Sequence, residues 1–490
     1  MKTLLDIKEL TVSGEKTIVH PVSLQVRTRE PCTILGETGC GKSLLAQAVM
    51  GVLPSELRAQ GRIFLGERDL LGLIPKQRRA IWGRELAILP QEPWLALDPT
   101  MRVLPQVKEG YMVAGAVSGA SAGRLAQATL SGLGLTDAAG KLPSELSGGM
   151  AQRVAFAAAS VGGAGILLAD EPTKGLDAQR WQDIVDLLLQ KVADGIGLLT
   201  ITHDIGVARR LGGHVAIMCE GRIVEQGPAA RVLQNPVHPY SKRLLAADPA
   251  SWEKLGGRAS NGVSPVIKAH SLGITRGGKQ LFKHQNFSIA PGEIVGVTGP
   301  SGCGKSTFGD LLLGLLQPDT GTVWRDGSHP PLRYQKLYQD PPAAFPRSIT
   351  IGQAVEDLIR LHALQPGIRD TLMDELRLQP ELLDRLPEQI SGGELQRFAL
   401  LRVLLLDPIF LFADEPTSRL DLITQQEMMN LLVRCARERQ CAILLVSHHA
   451  DLIGKVADRL LFLGEEAISR DAAFSACHQT SPREHPVYGA

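Results

Sequence analysis

Two segments of the chain have the composition of a loop that wraps a phosphate group. Each runs as glycine, four further residues, glycine, lysine and serine, over residues 36–43 and again over 299–306. The glycines let backbone N–H groups approach a β-phosphate, the lysine reaches the β- and γ-phosphates, and the serine supplies a hydroxyl to Mg2+. The candidate residues are Gly36, Gly39, Gly41, Lys42 and Ser43, then Gly299, Gly302, Gly304, Lys305, Ser306 and Thr307.

An acidic pair stands at a matching place in each half, as Asp170-Glu171 and Asp414-Glu415. A bare Asp-Glu pair is usually surface charge. Here each pair follows an apolar run, and the carboxyl end of a buried parallel strand is where ligands bind in such sheets. We expect each aspartate to hold Mg2+ through water, and each glutamate to polarise a water that attacks a γ-phosphate.

The elements that must position these residues are predicted by short apolar runs that lead into them. The runs lie over residues 31–35, 166–169, 198–202, 293–298, 409–413 and 442–447. Leucine-rich and alanine-rich stretches at helical spacing, such as Leu44–Val52 and Trp181–Val192, lie between them. Buried strands alternating with helices are typical of a parallel sheet with crossover helices, so the fold class is α/β.

The chain is a tandem repeat, because these blocks recur in the same order in both halves. Between the halves lies a stretch of small and polar residues, the composition of a linker. We predict a first domain over residues 1–248, a linker over 249–264 and a second domain over 265–490. From Ala246 to Ser264 such a linker reaches about 60 Å when extended, which lets the halves pair face to face.

The composition excludes several classes of protein. Of 490 residues, 44% are hydrophobic and 21% charged, as in ordinary globular proteins. The 52 Lys and Arg residues nearly cancel the 51 Asp and Glu residues, so no overall charge favours nucleic acid. We expect no signal peptide and no membrane span, since apolar runs are short. The seven cysteines form no CxxC pair, which argues against disulfides and metal clusters.

A further motif begins with Ser-Gly-Gly in each half, over residues 147–153 and 391–397. This motif resembles the signature motif of the ATP-binding-cassette ATPases. Its combination with the phosphate loops and acidic pairs makes the resemblance to that family specific. The resemblance covers almost the whole chain. It implies ATP and Mg2+ as cofactors and two P-loop NTPase domains, each with a RecA-like core, an antiparallel β subdomain and a helical signature subdomain. The implied nucleotide-binding signature residues are Ser147, Gly148, Gly149, Ser391, Gly392 and Gly393.

The same resemblance adds further residues to each site. The Q-loop glutamines are expected at both ATP and Mg2+, and the D-loop aspartates at ATP. The switch histidines are expected to be catalytic, with a ring that reaches the γ-phosphate. These residues are Gln91, Gln339, Asp177, Asp421, His203 and His448. In this family two cassettes pair head to tail, so that each ATP lies between one half's phosphate loop and the other half's signature helix. Two working composite sites are therefore expected.

One departure from the family concerns the adenine base. The family usually stacks this base on an aromatic residue near the start of each cassette, but Thr11–Gly14 and Ile274–Gly277 contain none. Arg276 offers its guanidinium plane for stacking instead. We expect weaker discrimination between ATP and GTP as a result.

The tail of the first half narrows the resemblance. Asn235–Leu245 contains a His-Pro-Tyr element that looks like the tail of the peptide and nickel importer branch, and His485–Tyr488 is a truncated copy. The resemblance implies the ATP-hydrolysing subunit of a bacterial inner-membrane importer of short peptides or of nickel and other metal chelates. The subunit would lie at the cytoplasmic face. Its implied partners are two membrane permease subunits and an extracytoplasmic substrate-binding protein, with no nucleic acid.

The segments after the two Q-loop glutamines differ, and in this family they receive a cytoplasmic helix of a permease. Trp94–Met101 is apolar at its centre, whereas Ala343–Ser348 offers an aromatic, Phe345, and a cation, Arg347. We therefore expect the permeases to form a heterodimer. Two alternatives stay open: a soluble tandem cassette protein acting on ribosomes or nucleic acid, and an accessory ATPase of a cytosolic enzyme complex.

Overall fold

The computed structural model describes residues 2–463 apart from 38, 92, 115–116, 175, 177, 258–262, 301, 366, 418–419 and 448–449. These residues divide into two compact units. The first comprises the described residues up to 251 together with 421–423, and the second comprises the others. Among the described residues, no helix is both long enough and apolar enough to cross a membrane.

The first unit is built on two sheets. Its strands are β1 (Thr3–Ser13), β2 (Thr17–Arg27), β3 (Cys32–Leu35), β4 (Arg58–Leu65), β5 (Arg68–Asp69), β6 (Leu86–Leu89), β7 (Ile166–Asp170), β8 (Gly197–Thr202), β9 (His214–Cys219) and β10 (Arg222–Pro228). The order β2-β1-β4-β5 gives an antiparallel sheet. The order β10-β9-β3-β8-β7-β6 gives a core sheet that is parallel from β9 to β6.

Helices cover the core sheet of the first unit and form a separate helical layer. They are α1 (Lys42–Met50), α2 (Pro75–Ile81), α3 (Val103–Val113), α4 (Gly119–Gly132), α5 (Gly148–Ser160), α6 (Ala178–Ala193), α7 (Ile205–Leu211), α8 (Ala229–Gln234) and α9 (Pro239–Ala246). Val103, Ala126 and Val154 from α3, α4 and α5 are fully buried in one apolar cluster. This cluster is the core of the helical subdomain that carries the signature motif.

The second unit repeats this plan with fewer strands among its described residues. They are β11 (Ile267–Arg276), β12 (Lys279–Ile289), β13 (Ile294–Thr298), β14 (Thr320–Arg325), β15 (Tyr334–Leu337), β16 (Phe410–Asp414), β17 (Ala442–Val446) and β18 (Arg459–Phe462). The order β12-β11-β14 is antiparallel, and the order β15-β16-β17-β13-β18 is parallel. The later helices are α10 (Lys305–Leu313), α11 (Ile351–Leu361), α12 (Ile368–Glu375), α13 (Gly392–Leu405), α14 (Leu422–Arg439) and α15 (Ala450–Val456).

The parallel strands form because their residues are apolar without alternation. Every residue of β7, β8, β16 and β17 is buried, which is the pattern of strands covered on both faces. The parallel register places Asp170 beside Ile201, and Leu35 beside Thr202. The loops that follow β3, β7 and β8 therefore leave the sheet at one edge. The predicted α/β class, with a core, an antiparallel and a helical subdomain in each half, is confirmed.

Part of the predicted linker packs on the second unit. Trp252 is buried among apolar residues of that unit, and its carbonyl accepts a hydrogen bond from the Lys455 ammonium. The backbone N–H groups of Leu255 and Gly256 both donate to the Lys455 carbonyl, at 2.7 and 3.1 Å. A Cβ on Gly256 would lie 2.1 Å from the carbonyl oxygen of Ala457, so only glycine fits this approach.

Asp458 joins this segment to the core of the second unit. Its side chain is only 2% exposed and pairs with Arg437 at 2.7 Å. Its oxygens also accept from the N–H groups of Gly257, at 2.9 Å, and of Ile294, at 2.8 Å. One buried carboxylate thus holds a helix, a strand and the linker segment together.

We predict that Asp458→Ala lowers the free energy of unfolding by about 3 kcal/mol, because two backbone N–H groups lose their acceptor and the partly buried Arg437 guanidinium loses its carboxylate partner. Among the described residues, Arg437 then keeps only its hydrogen bond to the Gly292 carbonyl. Urea unfolding of the full chain measures the change. Asp451→Ala, at an exposed position in the first turn of α15, is the control and should lower the midpoint much less, because it removes only the favourable interaction of a carboxylate with the helix N-terminus. Equal midpoints for the two variants would contradict the structural role of Asp458.

Candidate active site

The first phosphate loop connects β3 to α1 and encloses its own lysine. Gly41 caps α1 in a left-handed conformation, with φ 99°, which a side chain would strain. Lys42 begins the helix, and its Nζ donates to the carbonyl oxygens of Gly36, at 2.8 Å, and Glu37, at 2.7 Å. The ammonium group and the N-terminus of α1 therefore face the same loop. This arrangement favours an anion such as a polyphosphate.

The second phosphate loop repeats this geometry between β13 and α10. Gly304 caps α10 with the same φ of 99°. Lys305 Nζ donates to the carbonyl oxygens of Gly299, at 2.9 Å, and Pro300, at 3.1 Å. A Cβ on Gly299 would lie 2.2 Å from the carbonyl oxygen of Leu463, so the loop passes too close to its neighbour for any other residue.

A serine and an aspartate meet in each unit. Ser43 Oγ lies 3.2 Å from Asp170 Oδ1, and Ser306 Oγ lies 3.1 Å from Asp414 Oδ1. Hydroxyl and carboxylate oxygens are the hard ligands that Mg2+ prefers, and Mg2+ completes its shell with water and phosphate oxygens. No group of three or more His, Cys, Asp or Glu side chains among the described residues is arranged to hold a metal. The hydroxyl and carboxylate oxygens of each unit fit Mg2+ that also takes ligands from a nucleotide.

Both aspartates carry a raised pKa. Burial raises the pKa of Asp170, and the hydrogen bond from Ser43 offsets part of that effect. Burial likewise raises the pKa of Asp414, against the hydrogen bond from Ser306 and the nearby charge of Lys336. The ionised carboxylates are therefore held in the fold at a free-energy cost, which a bound cation would relieve.

The two glutamates that follow these aspartates have unusual backbones. Glu171 has φ 49° and Glu415 has φ 48°, in the left-handed region that residues other than glycine rarely occupy. Each is held there by a hydrogen bond from its N–H to the next strand, with Ile201 O at 2.8 Å and Val446 O at 2.9 Å. Strain of this kind clusters at functional sites, and no residue pattern in the sequence announces it.

Glu171 is surrounded by side chains that stabilise its charge. His203 Nδ1 lies 2.8 Å from Glu171 Oε2, and Thr202 Oγ1 donates to the same oxygen at 3.3 Å. Burial alone would raise the pKa of Glu171, but His203 and the charge of Lys42 outweigh it and hold the pKa below its usual value. The carboxylate is therefore ionised at neutral pH and can accept a hydrogen bond from water.

These groups of the first unit border one open pocket of about 240 Å3. Its lining residues are Gly39, Gly41, Lys42, Ser43, Leu44, Gln91, Glu171, Lys174 and His203. Gln91 therefore shares the pocket with the phosphate loop, although about 50 residues separate them in the chain. Lys174, three residues after Glu171, is a pocket residue that the motif analysis missed. Its only sequence signal is a cation in the loop after the acidic pair.

The second unit assembles the corresponding groups with different contacts. Gln339 Nε2 donates to Glu415 Oε2 at 2.7 Å, which brings the Q-loop glutamine to the catalytic candidate. Lys336 lies 3.9 Å from Asp414, a neighbour that the motif analysis also missed. Asp421, which is grouped with the first unit, directly precedes α14. His448 and the first unit's Asp177 lie outside the described residues.

The signature serines cap the helices that follow them. Ser147 Oγ accepts from the N–H of Met150, and Ser391 Oγ accepts from the N–H of Glu394, both at 3.4 Å. The paired glycines form the first turns of α5 and α13, whose N-termini carry a positive partial charge. At α13 the Glu394 carboxylate already accepts from the N–H and the hydroxyl of Ser391, at 3.2 and 2.5 Å, so the two signature helices differ at this end. The pairing of each signature helix with the other half's phosphate loop stays a prediction, as does the stacking of adenine on the exposed Arg276.

We predict that Asp170→Asn raises the thermal midpoint of the nucleotide-free protein at pH 7.5. The raised pKa of Asp170 means that its ionised form destabilises the fold, and asparagine keeps the acceptor for Ser43 without the charge. The increase in thermal midpoint should be largest above the pKa of Asp170 in the folded protein. It should shrink as the pH falls through that pKa and vanish below the pKa of Asp170 in the unfolded chain. Asp194→Asn, at an exposed position, is the control, and an equal or lower midpoint for Asp170→Asn would contradict the prediction.

Comparison with known proteins gives matches along the whole chain. The family described as ABC transporter matches residues 19–174 and again residues 282–418. The chain is 31% identical to YejF of Escherichia coli K12, an uncharacterized ABC transporter ATP-binding protein, covering 99% of this chain and 98% of the relative. It is also 31% identical to the peptidoglycan transport ATP-binding protein YejF of Agrobacterium fabrum, covering 94% and 91%.

A third relative is the glutathione import ATP-binding protein GsiA of Salmonella typhi, 30% identical over 91% of this chain and 82% of the relative. Among solved structures, the archaeal ribosome recycling factor aABCE1 has a TM-score of 0.65 and 21% identity over 92% of this chain and 87% of that one. The RNase-L inhibitor has a TM-score of 0.62 and 20% identity, covering 93% and 88%. At such identities these two likenesses concern the fold alone.

The tandem matches therefore agree with the two phosphate loops, two acidic pairs and two signature helices seen in the structure. The relatives that span nearly the whole chain are themselves ATP-binding proteins of transporters. This chain belongs to the ABC transporter family, as an ATP-hydrolysing subunit that carries two ATP-binding cassettes.

Proposed function

We propose that this chain drives the uptake of short peptides into a bacterial cell, acting at the cytoplasmic face of the inner membrane. The observation that carries the proposal is the presence of two sets of phosphate-binding and acidic residues in a chain whose relatives are named for glutathione import and peptidoglycan transport. Glutathione is a tripeptide, and peptidoglycan contains short peptides. Peptides are therefore favoured over nickel or other metal chelates as the substrate.

ATP binding would rest on the phosphate loops. Lys42 and Lys305 donate to carbonyl oxygens of their own loops and can turn the same N–H groups toward β- and γ-phosphates. The left-handed Gly41 and Gly304 direct backbone N–H groups and a helix N-terminus at the same place. The loop serines and the acidic-pair aspartates would hold Mg2+, which would supply positive charge against the phosphates.

Hydrolysis would depend on the glutamate after each aspartate. Glu171 is ionised and lies next to His203, so it can orient a water while the histidine reaches the γ-phosphate. Glu415 has Gln339 beside it, and His448 would take the place of His203. Gln91 and Gln339 would contact both the metal and the nucleotide. Asp177 and Asp421 would contact the nucleotide. Ser147 and Ser391, with their glycines, would bind the γ-phosphate from the opposite cassette.

The surfaces offered to the permeases differ between the two units. After Gln91, Leu95 is 72% exposed and can contact an apolar helix. After Gln339, Phe345 is buried, and the Arg402 guanidinium lies 5.1 Å from its ring centre. The expectation that Phe345 is offered for docking is therefore wrong, because the ring is already packed. The exposed Arg347 is left as the docking group, which supports two unlike permease subunits beside an extracytoplasmic binding protein.

The test of this function is uptake by vesicles that contain the chain and its permeases. The double variant Glu171→Gln with Glu415→Gln should lose ATP hydrolysis and peptide uptake. It should still bind ATP, since only the groups that orient water are lost. Phosphate release, uptake of a labelled tripeptide and nucleotide binding are measured in parallel. Near-normal hydrolysis would remove these glutamates from the mechanism. Purification of the native chain with ribosomes or a soluble enzyme, and without permeases, would overturn the importer assignment.

We predict that Arg347→Glu lowers peptide uptake by vesicles at least fivefold. ATP hydrolysis by the purified chain without permeases should stay within twofold of normal. Charge reversal weakens one permease contact without touching either phosphate loop. Lys283→Glu makes the same charge change at an exposed position of β12 and should leave uptake unchanged. Equal uptake by the two variants would contradict the docking role of Arg347.

A further inference from the structure

A lysine ammonium lies beside the Mg2+-ligand candidate of the second unit. Lys336 Nζ, on β15, is 3.9 Å from Asp414 Oδ2 and 2.7 Å from Asp310 Oδ1, on α10. The Lys336 side chain is only 14% exposed. Its Nζ also lies 5.0 Å from the ring centre of Phe412 and 5.3 Å from that of Tyr338. The charge is thus fixed by a carboxylate and two aromatic faces.

The first unit has no such pair at the corresponding positions. Lys336 precedes the Q-loop glutamine by three residues, and the residue that precedes Gln91 by three is Ile88. Asp310 follows the phosphate-loop lysine by five residues, and the residue that follows Lys42 by five is Gln47. Ile88 packs in an apolar cluster of the first unit. Two neutral side chains therefore stand where the second unit has an ion pair.

The two oxygens of Asp414 consequently face different groups. Oδ1 accepts from Ser306, the hydroxyl expected at Mg2+, whereas Oδ2 faces the Lys336 ammonium. A cation bound at Ser306 and Asp414 would meet a positive charge that solvent screens poorly, and it would share the carboxylate with that charge. Asp310 cancels part of this repulsion, so we expect a moderate effect. Near Asp170 the first unit has Lys174, but this lysine is exposed and solvent screens its charge.

We propose that Lys336 and Asp310 set the divalent-cation affinity of the second site below that of the first, so that the two sites load metal and nucleotide unequally. Both are positioning residues, since they act through the Asp414 carboxylate. The inference rests on the proposed role of the loop serines and acidic-pair aspartates as Mg2+ ligands. It adds to the proposed function that the two cassettes differ in how tightly they bind the metal and nucleotide before hydrolysis.

The test measures Mn2+ binding to the full chain by electron paramagnetic resonance in the presence of saturating ADP. Ser43→Ala leaves the second site to be measured, and Ser306→Ala leaves the first. The second site should bind Mn2+ three- to tenfold more weakly than the first. In the Ser43→Ala background, the double change Lys336→Ile with Asp310→Gln gives the second unit the neutral pair of the first. This change should tighten Mn2+ binding by the same three- to tenfold.

The reciprocal change, Gln47→Asp with Ile88→Lys in the Ser306→Ala background, should weaken Mn2+ binding at the first site. ADP binding in EDTA is the control for loop shape and should stay within twofold in all variants. The proposal would be overturned if these double variants fold and bind Mn2+ with unchanged affinity. It would also be overturned if their affinity for ADP in EDTA changes as much as their affinity for Mn2+. Persistent Mn2+ binding when Ser43→Ala and Ser306→Ala are combined would instead refute the ligand assignment on which the proposal rests.

Discussion

The hydrogen-bond ladder between the parallel strands is the constraint on which each cassette depends. In the first unit β3, β8 and β7 lie side by side, with Leu35 opposite Thr202 and Asp170 opposite Ile201. The phosphate loop, the acidic pair and His203 follow these strands directly. A slip of one residue along any strand would turn a functional side chain to the other face of the sheet, so the apolar packing that fixes the register also fixes the chemistry.

Burial of negative charge is the second constraint, and the two units meet it with different side chains. Each unit buries an aspartate and a glutamate side by side, where negative charge is poorly solvated. In the first unit His203 and Lys42 stabilise Glu171, and in the second Gln339 donates to Glu415 while Lys336 stands beside Asp414. The motifs are the same, yet the surrounding charges are not. Two cassettes in one chain can therefore differ in function without any change in their motif residues.

The segment that joins the cassettes belongs in part to the second one. Trp252 is buried there, and residues 255–257 donate hydrogen bonds to Lys455 and Asp458. The contacts lie at the end of α15, shortly after the switch histidine position of the second half. This end of the linker is thus ordered by the same aspartate that holds Arg437 and β13. Residues 252–257, which the sequence assigned to the linker, are therefore part of the second unit.

The sequence alone determined the tandem organisation, the α/β class and the residues at each phosphate loop, because these depend on local patterns. A glycine-rich loop before a helix and an unbroken apolar run before an acidic pair need no distant contact to be recognised. Only the tertiary structure decided which neighbours surround those residues. Lys336 and Asp414 lie on adjacent strands and come within 3.9 Å of each other. Phe345 is buried against Arg402 and is not exposed for docking. Glu171 and Glu415 have a strained backbone. These features depend on contacts between residues far apart in the chain, which no local pattern encodes.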